Sequence, residues 1–412
     1  MGATARIRSV GSAATVRLAP EYTVLLDAVR GIPSGSGDRR PLDGGQWRLA
    51  VEAAAWHRLE PLVYAHVAEH GGAPAEVLAG LEESYVANAA RNLHIRASVE
   101  RICDALAAAG IPAMTLKGAA LIEAVYPDPA VREMRDIDVL VPAETLDGAN
   151  TAVGRLGFHP APALDPRSTS AWMRANHLHD PALVADDGVT AVELHHHIGI
   201  GAERAYFDVS DIWDRARPGR GRAHLLPSAE DLLIHACFHF TRNRSGSQHG
   251  ALGQICDIAR IVERERIDWD AVASIVRGYR LQTRVFLALF AARELGIPIP
   301  EAATGGLRHP GFDPRVGRRL VELRVLRTGR QFPVRRLGWL VAPPRSTLVN
   351  GWDARPEAGA LELARAYVRR ARGQLPQVRA AVRKPGSLVA DYLLDGQIRA
   401  LEAAERVGPA GS

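Results

Sequence analysis

A short strand with two carboxylates on one face constrains this chain more than any other feature. In "MRDIDVLVP", residues 134–142, the run of Ile137, Val139, Leu140 and Val141 is apolar enough for a buried strand over 136–142. Strand side chains alternate faces, so Asp136 and Asp138 point one way while Ile137 and Val139 point the other. The apolar face demands a packed layer. The acidic face needs compensation, because neighbouring like charges repel and aspartate is a poor strand former. A bound divalent cation is one answer, and Arg132 or Arg135 is another.

The flanking sequence supplies layers for such a strand. Residues 16–31 and 46–92 have helical periodicity, separated by the loop "GIPSGSGDRRPLDGG". Residues 91–109 read as a long amphipathic helix ended by Gly110. "IPAMTL" (111–116) reads as a strand, and Gly118 then opens the helix "AALIEAVY". A helix over 143–156 follows the acidic strand and is closed by Gly157. "PALVAD" and "TAVELHHHI" are joined by Asp187-Gly188, the signature of a two-residue hairpin turn. Residues 95–215 therefore read as β–α–β–α plus an antiparallel hairpin. Beyond them come four helices in succession ("SAEDLLIHACFHF", "ALGQICDIARIVERE", "DWDAVASIVRGY", "QTRVFLALFAAREL"), then helix at 314–327, 357–374 and 387–406. With 412 residues, two or three domains are expected, with disordered termini.

Composition narrows the function classes. Cys103, Cys237 and Cys256 are odd in number and widely spaced, so neither a disulfide framework nor a cysteine zinc site is expected. No apolar run approaches about 18 residues and no signal peptide is evident, so a soluble, cytoplasmic chain with no membrane partner is expected. The net charge is +5, but residues 301–412 hold 20 cationic against 10 acidic side chains. That excess suits either an anionic partner or a solvated helical surface. It lacks aromatic interleaving, and nucleic acid is not an expected partner. Lys117 and Lys384 are the chain's two lysines among 51 cationic residues. Lysine in "LKGAAL" therefore marks a place where a compact point charge matters more than a planar fork.

A third carboxylate completes a candidate set. In "TAVELHHHIG" Glu193 shares its strand face with His195 and His197, while Leu194 and His196 face the other way. Oxygen ligands of this kind hold hard divalent cations. At Gly118, free backbone N–H groups at a strand-to-helix turn favour a phosphate. The histidines His177, His179, His195, His196, His197, His235 and His239 suggest a transition-metal site instead. Yet "HACFHF" lacks the glutamate of H-E-x-x-H. Asp257, among apolar neighbours in "QICDIARIV", is expected to cap or pair within the helical part.

A phosphate turn, a D-x-D strand and a later carboxylate strand together resemble the polymerase-beta-like nucleotidyltransferase superfamily. More narrowly, "LKGAALIEAVYPDPAVREMRDIDVLV" with "VELHHHI", "DLLIHACFHF" and "DIARIVERERIDWDAVASIV" resembles a family of uncharacterised nucleotidyltransferases of LKG…RDIDLLV…ELHW type. The resemblance covers roughly residues 80–375. It implies an α+β fold in three parts: an N-terminal helical region (1–94), a mixed-sheet nucleotidyltransferase core (95–215) and a C-terminal helical domain with a disordered tail (216–412). Asp136, Asp138 and Glu193 would match the metal carboxylates and catalytic residues, with Mg²⁺, or Mn²⁺ in its place, as cofactor. Lys117, Gly118, Arg132 and Arg135 would serve the nucleotide, and His195 would support the metal ligands. The implied reaction moves a nucleoside monophosphate, most simply AMP from ATP, to a hydroxyl of a small molecule, peptide or protein by two-metal catalysis. Ala119 stands where the superfamily has a small hydroxyl residue, the gap from Gly118 to Asp136 is longer than usual, and His196 replaces the tryptophan. A nucleotide-binding or toxin–antitoxin-type module without turnover, and a histidine-cluster metal hydrolase, are the alternatives.

Overall fold

The computed structural model describes residues 18–31, 41–161, 170–188, 190–199, 207–221, 223–242, 250–310, 312–326 and most of 359–368. The helix and the disordered tail expected over 387–406 and beyond lie outside the described residues. Among the described residues seven short strands form one mixed sheet: β1 (Met114–Thr115), β2 (Asp136–Leu140), β3 (Phe158–Pro160), β4 (Leu183–Ala185), β5 (Ala191–His195), β6 (Arg217–Pro218) and β7 (Leu225–Leu226). Their order is β3-β4-β5-β2-β1-β7-β6. The acidic strand β2 is thus internal, antiparallel to β1 and parallel to β5.

Helices surround the sheet, as the periodicity predicts. Before it come α1 (Glu21–Arg30), α2 (Gly44–His57), α3 (Glu60–His70) and the long α4 (Ala75–Ala108). Within it lie α5 (Lys117–Val125), α6 (Leu146–Gly154), α7 (Ser170–Asn176) and α8 (Val209–Asp214). After it follow α9 (Ala229–Arg242), α10 (Leu252–Arg264), α11 (Trp269–Gly278), α12 (Gln282–Glu294), α13 (Glu301–Gly305) and α14 (Pro314–Leu320). Local chemistry sets several ends. Asp43 and Gln46 form a reciprocal capping box at α2, and the Asp268 carboxylate caps α11 through the Asp270 and Ala271 N–H groups. Among the described residues no helix is long and apolar enough to cross a membrane.

The expected alternation organises the two faces of the sheet. Ile137, Val139 and Val141 of β2 and its extension, with Val192 and Leu194 of β5, pack under Ile95, Val99, Ile102 and Leu106 of α4 and Leu146 and Val153 of α6. Full burial of each such side chain contributes about 1.5–3 kcal/mol. The opposite face carries Asp136, Asp138 and Glu193, and Leu140 there joins a second core with helices from both ends of the chain.

One expectation needs correction. The β4–β5 connection spans residues 186–190 rather than two residues. The Thr190 N–H donates to the Asp187 carboxylate at 3.0 Å, which holds a wider turn, with Gly188 at φ 66°.

Candidate active site

The site starts at the turn between β1 and α5. Lys117 adopts φ 42°, a left-handed conformation that a non-glycine residue holds only when its surroundings enforce it. Sequence alone assigns the special backbone role to Gly118, but that glycine is required for space. A Cβ there would lie 2.9 Å from Arg132 Nη1 and 3.0 Å from Met134 Cγ. The Leu116 N–H donates to the Asp138 carbonyl at 2.9 Å, tying the turn to β2.

In the parallel β2–β5 ladder Asp138 is the register partner of Glu193. Two carboxylates directly opposite each other destabilise a sheet unless a cation intervenes. The Lys117 ammonium does so, donating to Asp138 Oδ1 at 2.6 Å and lying 3.7 Å from Glu193 Oε2. His195 Nε2 also donates to Asp138 Oδ1, at 2.8 Å, and sits 3.4 Å from Glu193 Oε2. Burial alone would raise the Asp138 carboxyl, but the Lys117 charge and the His195 hydrogen bond hold it well below the usual range. Glu193 is lowered too, burial being outweighed chiefly by the His195 bond. Lys117 is raised, because Asp138 and Glu193 outweigh the desolvation that would lower it.

Asp136 occupies the next position on this face, paired in register with Ala191. Its side chain is exposed at the rim, yet the protein crowding around it and the Asp138 charge push its carboxyl up. His179, just before β4, donates from Nδ1 to the Asp180 carbonyl at 2.6 Å. Its Nε2 stands 3.7 Å from Glu193 Oε2. Burial and the neighbouring His195 hold His179 below the usual imidazole range.

The two arginines form their ion pairs away from the D-x-D carboxylates. Arg132 grips Asp257 through Nε and Nη2, at 2.8 and 3.0 Å, and the Tyr126 hydroxyl donates to the same carboxylate at 2.8 Å. Burial would lower Arg132, but Asp257 more than reverses this. Asp257 therefore pairs, as its apolar setting predicts, though its partner comes from beside the sheet. Two buried α4 amides hold that segment: Asn88 donates to the Ala130 carbonyl, and Asn92 donates to the Pro129 and Arg132 carbonyls. Arg135 is exposed and donates to Glu133 at 2.5 Å.

A pocket of about 190 Å³ opens beside this cluster, lined by Lys117, Gly118, Arg132, Arg135, Asp136 and Asp257 and by Arg58 between α2 and α3. Arg58, at φ 58°, lies 3.9 Å from Glu133, and desolvation with the nearby Arg135 charge lowers its guanidinium. Sequence reasoning missed Arg58. In an arginine-rich chain nothing distinguishes it until the fold brings it to the pocket.

Among the described residues, Asp138, Glu193 and His195 are the group whose ligand atoms converge within 4.8 Å. His235 and His239 enter no such group. Asp138 Oδ2 is buried and accepts no hydrogen bond, so an oxygen ligand is available where a cation would fit. A family model described as uncharacterised nucleotidyltransferase matches residues 43–296, more than half of the chain. The chain belongs to that family. No curated protein and no solved structure matches it.

For this nucleotidyltransferase the family implies an enzyme of nucleotidyl transfer acting on a nucleoside triphosphate. The buried acidic and histidine cluster can hold a divalent cation. The matched span includes the turn, both carboxylate-bearing strands, the Arg58 corner and α10 with Asp257.

Proposed function

We propose that the protein transfers AMP from ATP to a hydroxyl of a small molecule, peptide or protein in a reaction that depends on a divalent cation, Mg²⁺ or Mn²⁺. The observation that carries this reading is the Asp138–Glu193 register pair with its unpartnered Asp138 oxygen, beside a pocket rimmed by cations. Asp136, Asp138 and Glu193 would hold the cation, which when bound neutralises triphosphate charge and stabilises the attacking and leaving oxygens. The acceptor oxygen forms a bond to the α-phosphorus, and the bond from that phosphorus to the pyrophosphate oxygen breaks. Glu193 takes the hydroxyl proton. Lys117 and Arg135 balance the charge of the departing pyrophosphate, Arg132, clamped by Asp257, shapes the nucleotide pocket, and Gly118 lets the chain approach it. His195 orients Asp138. In this reading residues 95–215 are the catalytic core, and the helical parts on either side close the pocket around the nucleotide and its acceptor.

The test is incubation with Mg²⁺ and each α-labelled nucleoside triphosphate alongside cell extract. A labelled adduct and pyrophosphate release with ATP, both lost in Asp138→Asn, support transfer. Nucleotide binding without product from any triphosphate would leave a binding module in its place.

A further inference from the structure

Of the two histidines beside Glu193, His179 and His195, it is His179 whose proton is fixed away from the site. His179 and His195 form an isolated antiparallel bridge, and their rings stand 5.2 Å apart. Because the His179 Nδ1–H donates to the Asp180 carbonyl, the neutral ring carries its lone pair on Nε2. That atom faces Glu193 Oε2 across 3.7 Å, too far for a hydrogen bond. An imidazole nitrogen and a carboxylate oxygen facing each other in this way are donors that would hold one cation between them.

His195 is arranged the opposite way. Its Nε2–H is committed to Asp138, and its Nδ1 is buried without a partner. It has no acceptor to hold a proton on Nδ1, the support that a metal-binding histidine ordinarily has. His179 has that support. The unpartnered, buried Asp138 Oδ2 independently indicates a ligand that the protein's own groups do not supply.

We propose that the cation beside Glu193 sits in a mixed nitrogen–oxygen site, with His179 Nε2 as its nitrogen ligand, and that this site prefers a first-row transition ion such as Mn²⁺ over Mg²⁺. Imidazole is a good ligand for transition ions, whereas Mg²⁺ selects oxygen. The inference rests on reading the carboxylates as a cation site and deepens it by naming the ion class.

The experiment loads the full chain with Mn²⁺ in the absence of nucleotide and records electron spin-echo envelope modulation. The wild type should show an imidazole ¹⁴N coupling that changes when histidine is ¹⁵N-labelled, a readout that needs no variant. His179→Gln should abolish that coupling and weaken Mn²⁺ binding by about tenfold or more, with Mg²⁺ binding little changed. His195→Gln should retain the coupling. Bound Mn²⁺ without nitrogen coupling, coupling that persists in His179→Gln, or no Mn²⁺ binding would each overturn the assignment. An all-oxygen Mn²⁺ site would still leave the transfer reading intact. Failure of transfer would leave the nitrogen coupling as measured.

Discussion

Two charge clusters adjoin the same pocket and are built in opposite ways. In one, Asp257 spends both oxygens on the Arg132 fork and receives the Tyr126 hydroxyl as well. In the other, Asp138 faces Glu193 in register, shares a single oxygen between Lys117 and His195, and leaves the second buried with no hydrogen bond. The first cluster is complete within the protein. The second has capacity left over, at a turn where Lys117 holds a left-handed backbone. A saturated buried pair fixes a geometry, whereas an unsaturated one can accept something more.

Breaking the saturated pair should have the largest effect, and it should fall on stability. Asp257→Ala leaves the largely enclosed Arg132 guanidinium without its anion, a loss of about 3–5 kcal/mol measured by denaturant unfolding. If the variant melts like wild type, Arg132 has another anion and the contrast fails.

Asp138→Asn should shift the damage from folding to function. One charge-assisted bond set weakens, at about 1–3 kcal/mol, because Glu193 still accompanies Lys117. Turnover should fall by about 10²–10³. From sequence alone, repulsion between Asp136 and Asp138 predicts a metal-free protein relieved by this change. The structure reverses that sign, since Lys117 already supplies the counter-charge. A strongly destabilised but active variant would make Asp138 a structural partner.

The smaller, pH-dependent difference separates the clusters further. Asp138 titrates well below its ordinary value in the folded state, so its stabilisation is complete above the unfolded value of about 3.9. It fades as pH falls through the depressed folded value. The gap in melting temperature between wild type and Asp138→Asn should therefore narrow from pH 7 towards pH 3. A gap that widens in acid would contradict the Lys117–Asp138 pairing.

Much of this was legible in the sequence, for stated physical reasons. Period-2 alternation put Asp136 and Asp138 on one face and Glu193 with His195 on another strand's matching face, and β2 and β5 obey it. Amphipathic runs gave α9 to α11, and a run that is apolar on most sides gave the buried α12. The strand at 111–116 was also legible, but Phe158–Pro160, Arg217–Pro218 and Leu225–Leu226 are too short to show a period and went unread. Long-range partnerships were also hidden. Arg132 and Asp257 lie 125 residues apart, and no local pattern couples them. The same holds for Arg58, delivered by the α2–α3 corner, and for His179, whose tautomer is set by its neighbour's carbonyl.

The most direct test is calorimetric titration of the full chain with ATP in the presence of Mg²⁺, repeated in chelator and with Asp138→Asn. The unsaturated cluster predicts binding that collapses in chelator and weakens sharply in the variant, while Asp138→Asn remains folded. ATP binding that is equally tight in chelator and in Asp138→Asn would show that the Asp138–Glu193 pair holds no cation for the nucleotide.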